Sequence, residues 1–210
     1  NKVLHKFDND ELILHVFKRA KRSRIKNIVF AISNDKSDDI LANYLTDNGM
    51  NIFRGSLENV YERALNCSRF FQLSHFFRVC GDRLFLNHDC IDRFYEILER
   101  DEGIDFITNI SGKIPKGITT ELISTNLLIR YQKKINQLEK EHLTSIFYKN
   151  LEHINHRVYK ESNIMRNLMD LTVDTKEDII RFNNYRNLIN KDFLNISLED
   201  LMEMKSKHEA

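Results

Sequence analysis

The sequence predicts an α/β fold with a mostly parallel sheet flanked by helices, and three observations carry that prediction. Up to about residue 110 the apolar segments switch between a helical period and short β-rich runs, the rhythm of βα units. Polar or glycine-bearing breaks, such as Ser33 to Ser37, Gly81-Asp82 and Gly103, fall where strands and helices exchange. The 210 residues, 41% hydrophobic and 30% charged, suit one globular domain over 1-210, with a substrate or dimerisation region at about 111-165.

The elements follow in order. Asn9-Asp10-Glu11 is expected to cap a helix whose Leu12, Val16 and Ala20 share a face, its basic end suiting the negative pole of the helix dipole. Asn27 to Ile32 reads as a buried strand. The next helix carries Ile40, Leu41, Tyr44 and Leu45 toward the core and is closed by Gly49 in the left-handed region. A short strand at Asn51 to Phe53 precedes a helix with Val60, Ala64 and Leu65. The strand Phe76 to Cys80 stops at Gly81-Asp82, a helix bears Ile91, Phe94, Ile97 and Leu98, and Gly103 introduces the strand Ile104 to Thr108. Beyond Ser111 the spacing turns irregular, with the single proline at Pro115, a strand near Glu121 to Ile123 and helices from about Thr125 to Asn150. Leu168 to Val173 reads as a strand again. Thr175 and Asp178 form a capping box for the helix that follows, and Ser197 starts an amphipathic helix at the C-terminus.

Bulk charge narrows the function. With 32 basic against 31 acidic residues and a net charge of +1, nothing draws the chain to nucleic acid. No apolar run is long enough to span a bilayer and no signal peptide is evident, so no membrane partner is expected. Cys67, Cys80 and Cys90 form no CxxC pair, which argues against a disulfide framework or zinc site and fits a cytoplasmic location. Position 1 is Asn, so the sequence is expected to begin inside a longer chain.

In open parallel sheets ligands gather beyond the carboxyl ends of the strands. Ser33, Arg54-Gly55, Gly81-Asp82 and Asp174 each fall just after a predicted strand. Asp82 and Asp174 stand out, because two carboxylates on neighbouring strand ends suit Mg²⁺ against a triphosphate. The alternative is structural: a Gly-Asp turn at Asp82 and a pre-cap residue at Asp174.

Four elements then carry a family resemblance: Phe53-Arg-Gly-Ser56 with Glu58-Asn-Val-Tyr-Glu-Arg63, Arg78-Val-Cys-Gly-Asp82, Glu141-His-Leu-Thr144, and Val173-Asp-Thr-Lys-Glu-Asp178. In order and spacing the chain resembles the cytidylyltransferases, a group that includes CMP-Kdo synthetase, CMP-sialic acid synthetase and the spore-coat polysaccharide biosynthesis protein F group. The resemblance implies a Rossmann-like nucleotide-diphosphosugar transferase fold and transfer of CMP from CTP to an acidic sugar for surface polysaccharide. It implies Asp82 and Asp174 as Mg²⁺ ligands, Lys2 as the end of a phosphate loop, and Ser33, Arg54, Gly55 and Gly81 as a nucleotide cradle. Glu121, His142 and Thr144 fall in the region resembling the sugar pocket; Arg78 either reaches substrate or pairs with a carboxylate. Homodimers are common in the group.

The chain departs from the family pattern in lacking the Ala-Arg-x-Gly-Ser loop before Lys2, in having Leu84 where a proline is usual, and in Lys116 and Thr119 where aspartates are frequent. Two other functions are therefore carried beside the first: a non-catalytic relative serving as a binding or assembly domain, and a glycosyltransferase that uses a preformed nucleotide sugar without releasing pyrophosphate. His153 and His156 and the basic run Lys18 to Lys26 read more readily as surface than as metal or phosphate-polymer sites.

Overall fold

The computed structural model describes residues 2–110, 115–160 and 170–208. The chain enters through a 3-10 turn, Lys2–Leu4, and a hairpin of β1 (Lys6–Phe7) and β2 (Asp10–Glu11) that pairs antiparallel. The hairpin takes up the residues expected to cap the first helix. Glu11 precedes α1 (Leu12–Ala20) without a side-chain capping bond, and the Asp10 carboxylate accepts from Lys18 Nζ at 2.5 Å. Leu12, Ile13 and Val16 form the buried face of α1.

At the basic end of α1, Arg19 turns inward while Lys18, Lys21 and Arg22 stay exposed. Arg19 Nη2 donates to the carbonyls of Phe193 and Ile196 at 2.6 Å each, and Arg22 Nη1 donates to Leu194 O at 2.8 Å. These bonds strap the 3-10 turn Phe193–Asn195 to the first helix. Phe7 and Phe193 meet edge to face at 5.0 Å, and with Leu12, Phe85, Leu171, Val173 and Phe182 they form one core from both ends of the chain.

Strands β3 (Val29–Ser33) and β4 (Asn51–Gly55) are parallel and in register from Val29↔Asn51 to Ser33↔Gly55. They are joined across α2 (Asp39–Asp47), after which Gly49 adopts φ +68 as predicted. Leu41, Ala42 and Leu45 bury, whereas Ile40, expected to face the core, is 70% exposed because it lies off that stripe. Helix α3 (Val60–Phe70) follows, its Glu62 amide donating to Asn59 Oδ1 at 3.0 Å.

The second sheet comprises β5 (His75–Arg78), β6 (Phe106–Thr108), β7 (Glu121–Ser124) and β8 (His156–Val158), in the spatial order β5-β7-β6-β8. Strands β6 and β8 are parallel, and β7 runs antiparallel to both β5 and β6, so the sheet is mixed. Helix α4 (His88–Arg100) connects β5 to β6. The helical stretch expected from 125 to 150 is three short helices, α5 (Thr125–Tyr131), α6 (Gln137–Glu141) and α7 (Ser145–Lys149). The break before α6 is a capping box in which Asn136 and Glu139 exchange side-chain and backbone bonds.

Of the strand expected at 168–173, the described residues 170–173 form no strand. Residues 168–169 lie outside the described residues, as do 111–114 and 161–165 of the expected substrate region. From 170 the backbone makes isolated bonds: Leu171 N to Lys116 O at 2.9 Å and Val173 N to Asp82 O at 3.2 Å. Leu171 and Val173 are buried and Asp170 and Asp174 exposed, so the alternation was real while the ladder is absent. Helices α8 (Lys176–Ile189) and α9 (Leu198–His208) close the chain.

Candidate active site

Gly81-Asp82 turns the chain away from the carboxyl end of β5. A Cβ on Gly81 would stand 3.0 Å from Ile13 Cδ1 and 3.4 Å from Val3 Cγ1, so a glycine lets this turn lie against α1 and the entering chain. That contact brings Lys2 to Asp82. Lys2 Nζ lies 3.0 Å from Asp82 Oδ2 and 2.5 Å from Asp174 Oδ1, so one ammonium bridges two carboxylates 92 residues apart in sequence. Partial burial opposes the Lys2 charge, but the bonds to Asp174 and Asp82 outweigh it and raise the pKa of Lys2.

Asp174 is held from several sides. The bonds from Lys2 and from Thr172 Oγ1, the latter at 2.9 Å to Oδ2, hold its carboxyl below the usual range. Its amide donates to Asp178 Oδ2 at 2.9 Å, within the capping box that Thr175 and Asp178 form at the start of α8, as predicted. What the lowered Asp174 pKa adds to stability is present above the ordinary carboxylate pKa and lost as pH falls through the folded value; what the raised Lys2 pKa adds is present below the ordinary lysine pKa and lost as pH rises through the folded value.

The remaining candidates form three further groups. Ser33, Arg54 and Gly55 meet at the carboxyl edge of β3 and β4. Arg54 closes the loop there: Nε donates to Ser33 O and Nη2 to Asp35 O, both at 3.0 Å, and Nη2 pairs with Asp39 at 2.7 Å. Ser33, 1% exposed, accepts on Oγ from the Asp35 amide at 3.2 Å.

Arg78 pairs with a carboxylate, one of the two roles expected of it, and that carboxylate is Glu121. The two are cross-strand partners, and Thr108 opposes Glu121 on the other side of β7, which sets Arg78, Glu121 and Thr108 in one row across the sheet. Arg78 Nη1 donates to Glu121 Oε2 at 2.6 Å, and Glu121 is wholly buried. Tyr148 OH, from α7, donates to Glu121 Oε1 at 2.8 Å and lies 2.7 Å from Thr108 Oγ1. A buried carboxylate with two donors is stable only while both remain. Tyr148→Phe keeps the ring on Phe106 but removes one donor, and is expected to cost about 1–3 kcal/mol, read from denaturant unfolding.

The backbone of His142 and Thr144 closes one helix and opens the next. The His142 amide closes α6 on Leu138 O at 2.9 Å, and Thr144 O accepts from the Phe147 amide at 3.0 Å at the start of α7. The side chain from this region that reaches Glu121 is Tyr148, which sequence reading did not single out. Its signal was available only in the fold, since no spacing links Tyr148 to Glu121. Thr172 was missed for the same reason.

Among the described residues no group of three or more His, Cys, Asp or Glu could hold a metal. His153 is exposed beside Glu152, and His156 is half-buried in β8 with its ring on the Ile154 carbonyl. Asp82 and Asp174 by themselves supply two carboxylates already sharing one cation. That donor set fits Mg²⁺, which takes one or two carboxylates and completes its octahedron with phosphate oxygens and water. No described helix is long and apolar enough to cross a membrane. Cys80, expected as the last residue of the strand from Phe76, lies half-buried just past the end of β5.

Helices around sheets that include parallel strands, with polar residues gathered beyond strand ends, make this a Rossmann-like α/β fold. The family model described as cytidylyltransferase matches residues 1–206, and the chain belongs to that family of nucleotidyltransferases. It is 29% identical over 187 residues to the spore coat polysaccharide biosynthesis protein SpsF of Bacillus subtilis, covering 84% of this chain and 76% of that protein. An uncharacterized protein of Methanocaldococcus jannaschii is 26% identical over 213 residues, covering 99% of this chain and 85% of its own length. Among solved structures, a cytidylyltransferase from Leptospira borgpetersenii superposes with a TM-score of 0.89 at 22% identity, over 99% of this chain and 88% of that one. CMP:2-keto-3-deoxy-manno-octonic acid synthetase complexed with CTP superposes at 0.68 with 12% identity, over 89% and 92%.

Proposed function

We propose that this chain transfers CMP from CTP to an acidic sugar with release of pyrophosphate, in the cytoplasm, as a step toward surface polysaccharide. The observation that carries the reading is the shared cation: one ammonium bonded to Asp82, beyond the carboxyl end of β5, and to Asp174. Family membership supports the reaction class, and the names of the relatives above support a sugar acceptor.

In the reaction a sugar hydroxyl attacks the α-phosphorus of CTP, the bond to the bridging oxygen breaks, and pyrophosphate leaves. Asp82 and Asp174 would hold Mg²⁺, which supplies charge neutralisation for the triphosphate. Lys2 is placed to give its ammonium to phosphate oxygens. Ser33, Arg54, Gly55 and Gly81 shape the strand-end loops around the nucleotide, with Arg54 acting through the backbone it closes. Arg78, fixed by Glu121, presents its remaining N–H groups to the acceptor. Positioning and charge carry the rate, and no side chain needs to act as nucleophile.

Thr172 holds the Asp174 oxygen that Lys2 does not. Thr172→Val is expected to lower kcat/KM roughly 10- to 100-fold, the usual scale for a residue that orients a ligand, with an unchanged melting temperature. The direct test of the function is pyrophosphate release with CTP, Mg²⁺ and a panel of acidic sugars. Sugar-dependent release with a CMP-sugar product is expected. Release with none of them, from a folded full-length chain, would overturn the reading.

A further inference from the structure

Two arginines among the described residues are buried, Arg19 at 6% and Arg83 at 7% exposure. Their situations differ. Arg19 gives Nη2 to two carbonyl oxygens, whereas the Arg83 side chain has no hydrogen bond or ion pair with any described residue. Arg83 Nη1 is shut off from solvent without a partner. A guanidinium does not escape by losing its proton, and an uncompensated buried charge is strongly unfavourable.

Its position gives this orphan a purpose. Arg83 directly follows Asp82, and its backbone is fixed in the turn beyond β5, the Arg83 amide donating to Cys80 O at 3.3 Å and its carbonyl accepting from the Leu86 amide at 3.1 Å. Leu84, Phe85 and Leu86 after it are all 0% exposed, so the chain that carries Arg83 is anchored in the core just beyond Asp82. In the free chain Lys2 is bonded to Asp82 and Asp174 and Arg78 to Glu121, whereas Arg83 Nη1 has no partner.

We propose that Arg83 is the receptor for an anionic group, phosphate or carboxylate, of a substrate bound at the Asp82 edge. This rests on the nucleotidyl-transfer reading and deepens it, since it makes Arg83 the residue that demands a second negative charge beyond those held through Asp82 and Asp174. The missing counter-ion then arrives with the substrate, as a planar fork suited to two oxygens at once would require.

The test compares the wild-type chain with Arg83→Met and Arg83→Lys in two ways. Thermal melts are taken alone, with inorganic pyrophosphate, and with 2-keto-3-deoxy-manno-octonic acid; KM is measured separately for CTP and for the sugar acid. Free Arg83→Met is expected to melt at or above the wild-type temperature, because it loses an unpaired buried charge, and to lose the stabilisation given by one of the two anions. The KM of the matching substrate is expected to rise about tenfold or more while the other stays put, with Arg83→Lys in between. A rise for CTP assigns the triphosphate as the anion, and a rise for the sugar assigns its carboxylate. A lower melting temperature for Arg83→Met, with both KM values and both anion effects unchanged, would make Arg83 structural and overturn the proposal. Absence of turnover in the wild type would instead strike the nucleotidyl-transfer reading, and the anion melts would still decide the role of Arg83.

Discussion

Asp82→Asn and Asp174→Asn are each expected to cut kcat for pyrophosphate release by at least about 10³-fold while leaving the fold intact. The amide keeps the shape of the side chain and one acceptor oxygen for Lys2, and at position 174 its NH2 can donate to the Thr172 hydroxyl that now donates to the carboxylate. It loses the negative charge on which a divalent ion depends. The cost to stability stays small, about 1 kcal/mol or less, because the side chains are 21% and 55% exposed and surface ion pairs are weakly stabilising. Single-turnover release and thermal melts on the same preparations check both halves. Rates equal to wild type in both variants would remove the metal from the account.

Gly117→Ala is expected to destabilise the protein by about 3 kcal/mol or more, a drop in melting temperature of roughly 6–12 °C for a domain of this size. Gly117 has φ +94, a region closed to side chains other than by strain. A Cβ there would also stand 2.4 Å from Leu171 C and 2.5 Å from Leu171 O, and both are backbone atoms that cannot swing aside. Relief would have to come from moving the 170–174 segment, which carries Asp174. Activity should therefore fall further than the loss of folded protein explains. A variant that melts within 2 °C of wild type, by calorimetry, would contradict this packing argument.

Much of this was legible in the sequence, for local reasons. Alternating apolar periods located β3, α2, β4, α3, β5, α4 and β6, and the Thr175/Asp178 spacing located the start of α8, because period and capping chemistry act over a few residues. The carboxylates Asp82 and Asp174 were legible too, as acids following predicted strands. What was hidden depends on distant partners. The direction of β7 is set by its neighbours β5 and β6 and by nothing in Glu121 to Ser124 alone. The stretch before Asp174 alternates like a strand yet lacks a ladder, since only single bonds from Lys116 and Asp82 reach it. The acids at 10 and 11 resemble a cap and are instead drawn into a hairpin. Tyr148 and Arg83 give no signal in one dimension, because one matters for the buried acid it meets and the other for having no partner.

In the proposed reaction Asp82 and Asp174 grip one cation against the triphosphate of CTP. Crystals grown with CTP and Mn²⁺ measure this most directly through the anomalous signal of the metal. A peak within coordination distance of both carboxylates and of phosphate oxygens is expected, with Lys2 moved off the shared position onto the phosphates. A nucleotide bound with its metal touching neither aspartate, and Lys2 still bridging them, would contradict it.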